Sequence, residues 1–327
     1  MLVVLGLDSW DHRRYQQLRT PIVDKLEEQT KLKPFDGLSR GELVTQVLWP
    51  SMMIGDSPKI LFPEWAAKSI GYETGNQKTD NSFQNRIEDI GTRFLPERAR
   101  PIASIIGERI GLLDQFNKHT AGKELIESHS SVLDAASDPC LISIPGVNED
   151  MRNYELTEMM DTPNGKDISD AKLDVTPESY ERRAFELDSA HLAETLQAIS
   201  RGHDLVWSHF AGMDFIQHMF ADSERMMQRW YRFYDNVTEQ VLQELDETDT
   251  LVVISDHGMD ESGLHSTRAF FASTKSLWGE TPAKMESVRN VLERELQNHE
   301  TEAETDELTM QLSKETESHL EDLGYIS

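Results

Sequence analysis

Short apolar runs separated by longer segments with helical spacing place the strongest limit on how this chain can fold. The runs occupy residues 2–7, 140–144, 205–210 and 251–254. Each is rich in Val, Ile or Leu and is flanked by polar or turn residues, as expected of buried strands. Apolar residues at helical spacing lie between them, for example over 192–199, where Asp188 and Ser189 are possible caps, and over 226–245. We therefore predict a layered α/β fold with helices on both faces of a central sheet.

The charge of the chain is strongly negative. It has 32 Lys and Arg against 59 Asp and Glu, a formal net charge of -27 over 327 residues. This excess disfavours a nucleic-acid-binding protein, because phosphate backbones require a basic surface. The acidity either attracts cations or a basic partner, or adapts the surface to high salt, where self-repulsion is screened. Because the acids are spread along the whole chain, we favour the halophilic interpretation.

Cysteine content and hydrophobicity indicate the compartment. The chain has one cysteine, Cys140, which excludes an internal disulfide framework and a cysteine-based zinc site. Its start, MLVVLGLD, is typical of a core strand and not of a signal peptide. No uninterrupted apolar run approaches the length needed to cross a bilayer. We expect a cytoplasmic protein without a membrane segment.

The chain divides by composition into a main domain over residues 1–278 and an acidic helical tail over 279–327. The tail is rich in Glu and poor in aromatic residues until LGYI near its end. Within the main domain, residues 146–185 contain Asn-Gly, several Asp and two prolines, but no strong strand pattern. We expect this segment to be an excursion, either a lid or a cap, over the functional face.

Three of the apolar runs lead into ionisable residues. Asp8 follows the first run, Asp214 comes shortly after the third, and Asp256 and His257 follow the fourth. In open α/β sheets ligands bind at the carboxyl ends of the strands, so residues distant in sequence can converge there. A carboxylate after a strand can instead cap a helix, which would explain Asp8 alone but is a poor explanation of the whole set.

Further Asp and His residues follow at spacings suited to metal binding. Asp214 and His218 are four residues apart, which places both on one helix face, although an ordinary surface ion pair has the same spacing. Gly258 allows a sharp turn after the fourth run, and His265 follows in GLHS. Asp and His ligands without thiolates suit zinc and tolerate manganese or iron.

Thr45 lies in the segment TQVLWPSMMIG, which ends at Gly55. A threonine hydroxyl is a poor nucleophile at neutral pH unless a metal or a base activates it. Two neighbouring ions could ionise the hydroxyl and neutralise the leaving oxygen. By itself, Thr45 would be interpreted as a strand or cap residue.

The segments LGLDSW, TQVLWPSMMIG, ISDHGM and GLHS, together with the D-x-x-x-H pair, resemble the alkaline phosphatase superfamily in order and approximate spacing. They are most similar to its type I phosphodiesterase/nucleotide pyrophosphatase branch, over residues 2 to about 271. The resemblance implies an alkaline-phosphatase-like fold with a mixed, mostly parallel central sheet. It also implies that the main domain over residues 1–278 is catalytic.

The resemblance implies two divalent ions, with zinc favoured over manganese or iron. One would be surrounded by Asp8, Thr45, Asp256 and His257, and the other by Asp214, His218 and His265. Thr45 would be the nucleophile, since it begins a T-x-x-x-W-x-S-x-x-x-G pattern, and a covalent phospho-threonine would then be hydrolysed by water. Some relatives place the nucleophile closer to the glycine, which makes Ser51 the alternative.

The implied function is phosphodiester hydrolysis of a small-molecule substrate. The alternatives are a phosphomonoesterase, a transferase that passes the phosphoryl group to an alcohol, a sulfatase-like hydrolase, and a non-catalytic metal-binding relative. The ending LEDLGYI resembles sulfatase-like members, but Thr45 cannot be converted to formylglycine. Two departures are Ser9, where many relatives have Gly, and the absence of a histidine in GDSPKILFPEW, so the wall facing the substrate differs.

Overall fold

A six-stranded sheet forms the centre of the protein. The computed structural model describes residues 1–18, 20–63, 122–161, 172–279 and 281–299. The strands of the sheet are β1 (Leu2–Leu7), β2 (Glu28–Leu32), β3 (Pro139–Ile142), β6 (Leu205–Phe210), β7 (Thr250–Ile254) and β10 (Ala269–Ser273). Two small antiparallel pairs lie outside it, β4 (Met160–Asp161) with β5 (Lys172–Leu173), and β8 (Gly258–Met259) with β9 (His265–Ser266).

The helices connect these strands. They are α1 (His12–Leu18), α2 (Thr45–Ile54), α3 (Pro58–Leu61), α4 (Asn153–Glu158), α5 (Pro177–Ser200), α6 (Gly212–Phe220) and α7 (Glu224–Gln243). Residues 122–128 and 288–299 are also helical. Short 3₁₀ turns occupy Val23–Lys25, Arg40–Glu42, Val132–Ala135 and Met285–Ser287. Among the described residues, none of the helices combines the length and the apolar character that crossing a bilayer requires.

The sheet order is β2-β10-β7-β1-β6-β3. β1 pairs in parallel with β6 and β7, β3 pairs in parallel with β6, and β10 is antiparallel to both β7 and β2. The predicted mixed, mostly parallel sheet is therefore confirmed. The register places Leu7 opposite Phe210 and Gly6 opposite Ile254, so the chain leaves β1, β6 and β7 at the same edge.

Both faces of the sheet are covered, as predicted for a layered α/β fold. On one face α5, α6 and α7 pack with Val3 and Leu5 of β1 into a core that contains Trp230 and Tyr234. On the other face α2 and the 288–299 helix pack with Leu2 and Val4 around Trp49 and Trp207. Successive side chains of a strand point to opposite faces, so β1 contributes to both cores. Burial on both sides explains why its sequence is continuously apolar.

Two predicted regions are only partly described. Residues 288–299 are helical, and their buried side chains Val288, Leu292 and Leu296 belong to the second core. Residues 300–327 lie outside the described residues, as do 162–171 within the proposed excursion over 146–185. That excursion contains α4 and the β4–β5 pair, and α5 begins inside it. The boundary after residue 278 and the lid or cap role stay predictions.

Helix α5 begins earlier than its apolar spacing indicated. Thr176 is its N-cap and accepts a hydrogen bond from the Ser179 backbone N–H (3.2 Å), and Pro177 occupies the first turn. The expected caps at Asp188 and Ser189 are therefore wrong. Asp188 lies in the middle of the helix, fully buried, where its carboxylate accepts hydrogen bonds from the Gly212 N–H (3.1 Å) and the Tyr234 hydroxyl (2.6 Å).

Gly212, the first residue of α6, has no space for a side chain. A Cβ atom at this position would lie 2.5 Å from Asp188 Oδ2 and 2.7 Å from Trp230 Cη2, both in the core. We expect Gly212→Ala to lower the free energy of unfolding by about 1–3 kcal/mol, because overpacking forces buried groups apart. Denaturant unfolding would measure it, with Gly41→Ala as control, since a Cβ at Gly41 meets nothing within 4 Å. Equal midpoints for the two variants would contradict this packing.

Candidate metal centre and active site

The carboxyl ends of β1 and β7 bring three of the predicted residues together. Asp8 follows β1, and Asp256 and His257 follow β7; all three are buried. His257 Nε2 lies 3.3 Å from Asp8 Oδ1 and 3.5 Å from Asp256 Oδ2. The parallel register of β1 and β7 produces this juxtaposition, because it places the residues that follow the two strands side by side.

Thr45 reaches the same point from helix α2. It is the first residue of that helix, and its Oγ1 lies 3.2 Å from His257 Nε2. The Thr45 hydroxyl is also near enough to the Asp256 carboxylate to lower its pKa, although burial outweighs this effect. The four residues expected around one ion, Asp8, Thr45, Asp256 and His257, are thus brought together. The interpretation of Thr45 as a strand residue is wrong, since it begins a helix.

Asp214, His218 and His265 form a second group. Asp214 and His218 share one face of α6, with 3.4 Å between Asp214 Oδ2 and His218 Nε2. His265, in β9, has its Nε2 3.1 Å from His218 Nε2 and 3.7 Å from Asp214 Oδ1. His218 Nδ1 lies 3.0 Å from the Gly263 carbonyl oxygen and His265 Nδ1 2.7 Å from that of Leu43, so each Nδ1 donates a hydrogen bond. Donation through Nδ1 leaves the lone pair of Nε2 available to a metal ion, an arrangement common among histidine ligands.

His257 connects the two groups. Its ring stacks on that of His265 with centroids 3.9 Å apart. Potential ligand atoms of Asp8, Asp256 and His257 all lie within 4.8 Å of one another, and so do those of Asp214, His257 and His265. The two expected ion positions are therefore adjacent, with His257 between them.

The carboxyl groups of Asp8 and Asp256 are buried without enough hydrogen bonds or opposite charges to stabilise their ionised forms. Burial raises the pKa of Asp8 well above its usual range, and the charges of Asp256 and Asp214 raise it further. Burial likewise raises the pKa of Asp256 to about 6. Asp8 Oδ1 and Asp256 Oδ2 accept no hydrogen bond from any described residue. Buried carboxylates that face each other require a proton or a cation, so this donor set fits a divalent ion.

The histidines and Asp214 are in the protonation states that metal binding requires. Burial lowers the pKa of His257 and of His265 to about 4, so both imidazoles are neutral at neutral pH. Burial by itself raises the pKa of Asp214, but His218, His265 and His257 outweigh it and hold the pKa below its usual range. An ionised carboxylate beside neutral imidazoles is a donor set that suits zinc.

Two residues that contact the site, Ser9 and His209, were not among the site residues predicted from the sequence. Ser9 has φ 61°, a left-handed conformation that favours glycine, which gives a physical reason for the Gly found there in many relatives. Its hydroxyl donates a hydrogen bond to Asp214 Oδ1 and lies 3.1 Å from His257 Nδ1. His209, at the end of β6, has its Nε2 3.2 Å from Asp8 Oδ2. Only their positions, next to Asp8 and near the end of an apolar run, signalled a role.

The alternative nucleophile, Ser51, has a different environment from Thr45. It lies inside α2 and is fully buried. Its Oγ donates a hydrogen bond to the Val47 carbonyl oxygen of the same helix (2.6 Å). This geometry favours Thr45 as the residue available to a substrate.

A buried network outside the site fixes helix α6. The Tyr234 hydroxyl donates to Asp188 and accepts from the Met213 backbone N–H (3.0 Å), while Asp188 also accepts from Gly212. Burial raises the pKa of Asp188 to about 6. The first turn of α6 is thereby tied to α5 and α7, which sets the position of Asp214.

The family model for type I phosphodiesterase / nucleotide pyrophosphatase matches residues 132–324, more than half of the chain. The chain belongs to this family. The predicted membership of the alkaline phosphatase superfamily is therefore confirmed. The members of this family typically act on phosphoesters and depend on metal ions.

Similar proteins include two called GPI ethanolamine phosphate transferase 3. That of Eremothecium gossypii is 31% identical over 84 residues, 26% of this chain and 7% of that protein. That of Schizosaccharomyces pombe is 28% identical over 75 residues, 23% of this chain and 8% of that protein. The chain thus matches less than a tenth of the length of these relatives. The solved structure of PH0037 protein from Pyrococcus horikoshii is 11% identical, with a TM-score of 0.45, covering 90% of this chain and 97% of that one.

The protonation of the site histidines can be measured directly. In chelator-treated protein we expect His257 and His265 to remain neutral at pH 6 and to take up protons only near pH 4, because burial disfavours the charged imidazolium. Imidazole ¹⁵N chemical shifts would report this, with His257→Gln and His265→Gln used to assign the signals. Titration of both rings near their ordinary pKa of 6.5 would contradict the buried arrangement.

Proposed function

We propose that the protein is a two-metal phosphodiesterase in which Thr45 is the nucleophile. The observation that carries this proposal is the position of Thr45 Oγ1, 3.2 Å from His257 Nε2 and beside the Asp256 carboxylate. A hydroxyl at the start of a helix, beside a group of buried Asp and His residues, is placed to attack a bound phosphoester. The family membership supports phosphoester chemistry of this kind.

We assign the seven residues to two ions on the basis of the distances between them. One ion would be held by Asp8, Thr45, Asp256 and His257, and the other by Asp214, His218 and His265. Zinc fits the donor set, and manganese or iron would also be accommodated. When bound, such ions would lower the pKa of the threonine hydroxyl and neutralise charge on the phosphoryl oxygens.

The residues of the chain account for the remaining steps. Thr45 Oγ1 forms a bond to phosphorus while the opposite phosphorus–oxygen bond breaks. The proton of the Thr45 hydroxyl is transferred to the leaving oxygen and departs with the alcohol product. Water then cleaves the phospho-threonine, which restores Thr45 and releases the phosphomonoester.

Helix α2 favours the negative charge of the substrate. The N–H groups of the first turn of an α-helix have no intrahelical partners, and the helix dipole is positive at that end. Thr45 begins this helix of ten residues, so the phosphate that it attacks would lie at the helix N-terminus. Attack and charge stabilisation would then come from the same turn.

A phosphotransferase is the second candidate, favoured by the similarity to the two proteins named GPI ethanolamine phosphate transferase 3. In this alternative an alcohol would replace water in the second step. A phosphomonoesterase would use the same residues. A threonine at the nucleophile position disfavours a sulfatase, and buried carboxylates without hydrogen-bond donors disfavour a non-catalytic relative.

We infer the class of substrate and the cellular compartment of the protein from its composition. A net charge of -27 supports a small-molecule phosphoester as substrate and disfavours a nucleic acid. The single cysteine supports a location in the cytoplasm, where disulfides are rare. Acidic residues spread along the whole chain support a protein adapted to high salt.

Replacement of the nucleophile tests the proposal. The zinc- or manganese-loaded protein, in concentrated KCl, would be assayed against bis(p-nitrophenyl) phosphate beside an EDTA-treated sample. We expect Thr45→Ala to reduce nitrophenol release by about a thousandfold or more, because the covalent step is lost. Thr248→Ala, at an exposed threonine outside the site, is the matched control, and Ser51→Ala should retain turnover.

Full turnover by Thr45→Ala would disprove the nucleophile assignment, and loss of turnover in Ser51→Ala alone would transfer the role to Ser51. A large excess of acceptor alcohol separates hydrolysis from transfer through the ratio of the products. A folded, metal-loaded wild-type protein that releases no nitrophenol would exclude the diesterase proposal in favour of one of the alternatives.

A further inference from the structure

A cavity of about 420 Å³ next to the β8–β9 hairpin has an unusual charge for this protein. Its walls contain four arginines, Arg13, Arg14, Arg40 and Arg268, against one aspartate and one glutamate. Over the whole chain acidic residues outnumber basic ones by 59 to 32. The local charge is therefore opposite to that of the molecule, which favours an anionic ligand.

Arg14 is a buried cation that forms no ion pair with an acidic residue in the described parts of the chain. Its side chain lines the cavity, and the residue is 8% exposed. Nη2 donates hydrogen bonds to the carbonyl oxygens of Ala221 (2.8 Å) and Asp260 (3.2 Å). Within the part of the chain that the structure describes, no carboxylate oxygen lies within 4 Å of its guanidinium nitrogens. The carbonyls orient the guanidinium but do not neutralise it, so a bound anion would offset the cost of burying this charge.

Arg13 is also available for a ligand. It is largely exposed, and its only ion pair among the described residues is with Glu261 at 4.0 Å, a distance and exposure at which such a pair contributes little. The other two arginines are occupied, Arg40 by Asp260 and Arg268 by the buried Asp11. Two guanidinium groups therefore remain to bind an anion.

The buried carboxylate of Asp11 fixes the backbone of both available arginines, Arg13 and Arg14. Asp11 Oδ1 accepts hydrogen bonds from the backbone N–H groups of Arg13 (2.9 Å) and Arg14 (3.2 Å). The start of α1 is thereby held in place, and the two side chains extend from a rigid backbone. The backbone of such a site needs no rearrangement when a ligand binds.

The cavity borders the candidate metal centre. Ser266, in its wall, follows His265 in β9, and Arg40 Nε donates a hydrogen bond to the His265 carbonyl oxygen (2.9 Å). A ligand in the cavity is thus separated from the metal centre only by the hairpin strand that carries His265.

We propose that this cavity is an oxyanion site that binds a phosphate group through Arg13 and Arg14. The planar guanidinium fork matches phosphate oxygens and forms strong charge-assisted hydrogen bonds with them. The phosphate is either a second phosphate of the substrate or free inorganic phosphate. The substrate source rests on the proposed phosphodiesterase activity, whereas binding of free phosphate does not.

Calorimetric titration of inorganic phosphate into the full-length, metal-loaded protein tests the site itself. We expect Arg13→Gln to weaken binding at one site about tenfold, because one charge-assisted contact is lost. Arg14→Lys keeps the charge but loses the fork, and should also weaken it. Arg182→Gln is the matched control, since the Arg182 side chain is also largely exposed (72%, against 60% for Arg13) and has a comparable 4.0 Å pair with Glu186 on α5. Phosphate bound at the metal centre contributes equally to all variants.

A pair of substrates identifies the source of the phosphate. At matched ionic strength, KM would be compared for bis(p-nitrophenyl) phosphate and for a p-nitrophenyl diester whose other arm ends in a phosphate monoester. A KM increase of about tenfold in Arg13→Gln for the second substrate alone supports the substrate source. Equal KM values with weakened calorimetric binding support the oxyanion site and assign it to free phosphate.

Wild-type phosphate binding by both Arg13→Gln and Arg14→Lys would overturn the oxyanion site. Absence of turnover with both diesters would instead contradict the proposed phosphodiesterase, while calorimetry would still decide whether the cavity binds phosphate.

Discussion

Asp8 and Asp256 are held close together in the interior of the protein, with potential ligand atoms within 4.8 Å of one another, and the geometry of the site depends on that contact. The parallel pairing of β1 with β7 fixes the positions of the two carboxyl groups beside each other. Burial away from water raises the pKa of both carboxyl groups, and the charge of Asp256 raises that of Asp8 further. Without a cation the pair favours retention of a proton, whereas a divalent ion would satisfy both carboxylates at once. Binding of metal ions would therefore also stabilise the fold, through the same buried charges.

The loops that complete the site are held by buried polar networks on the side of the sheet away from α2. Asp188 and Tyr234 fix the start of α6, which carries Asp214. Asp11 accepts hydrogen bonds from Ser266 Oγ (2.7 Å) and from Arg268, next to the strand that carries His265. Each network restricts the conformations of a proposed metal ligand, which is the preorganisation that a catalytic site requires.

Much of the sheet could be predicted from the sequence because its central strands are buried on both faces. β1 and β6 begin and end at the predicted residues, and β7 differs by one residue. β2 and β10 were not predicted. β10 contains the short, fully buried apolar run AFFA and was missed although its pattern resembles that of the predicted strands. β2, in contrast, is an edge strand of partly exposed, mostly polar residues, EQTKL. Periodicity alone gives no signal for such a strand.

The candidate site was predictable where its residues directly follow strands, and less so elsewhere. Asp8, Asp256 and His257 follow apolar runs, whereas Thr45 could be placed only through the family pattern of its segment. The inward-facing role of Asp188 depends on Tyr234 and Gly212, which a local capping rule cannot include. The arginine cavity is built by α1, the turn at Arg40 and the loop before β10, so no single segment indicates it. The role of Asp188 and the arginine cavity therefore depend on contacts between residues far apart in sequence, which local sequence patterns do not indicate.

The proposed two-metal mechanism requires two ions at adjacent positions on the carboxyl edge of the sheet. Anomalous X-ray scattering at the zinc absorption edge, from crystals of the zinc-loaded protein, would locate them directly. We expect two anomalous peaks, one among Asp8, Thr45, Asp256 and His257 and the other among Asp214, His218 and His265. The absence of a peak at either position, in crystals that contain zinc elsewhere, would contradict the two-metal centre.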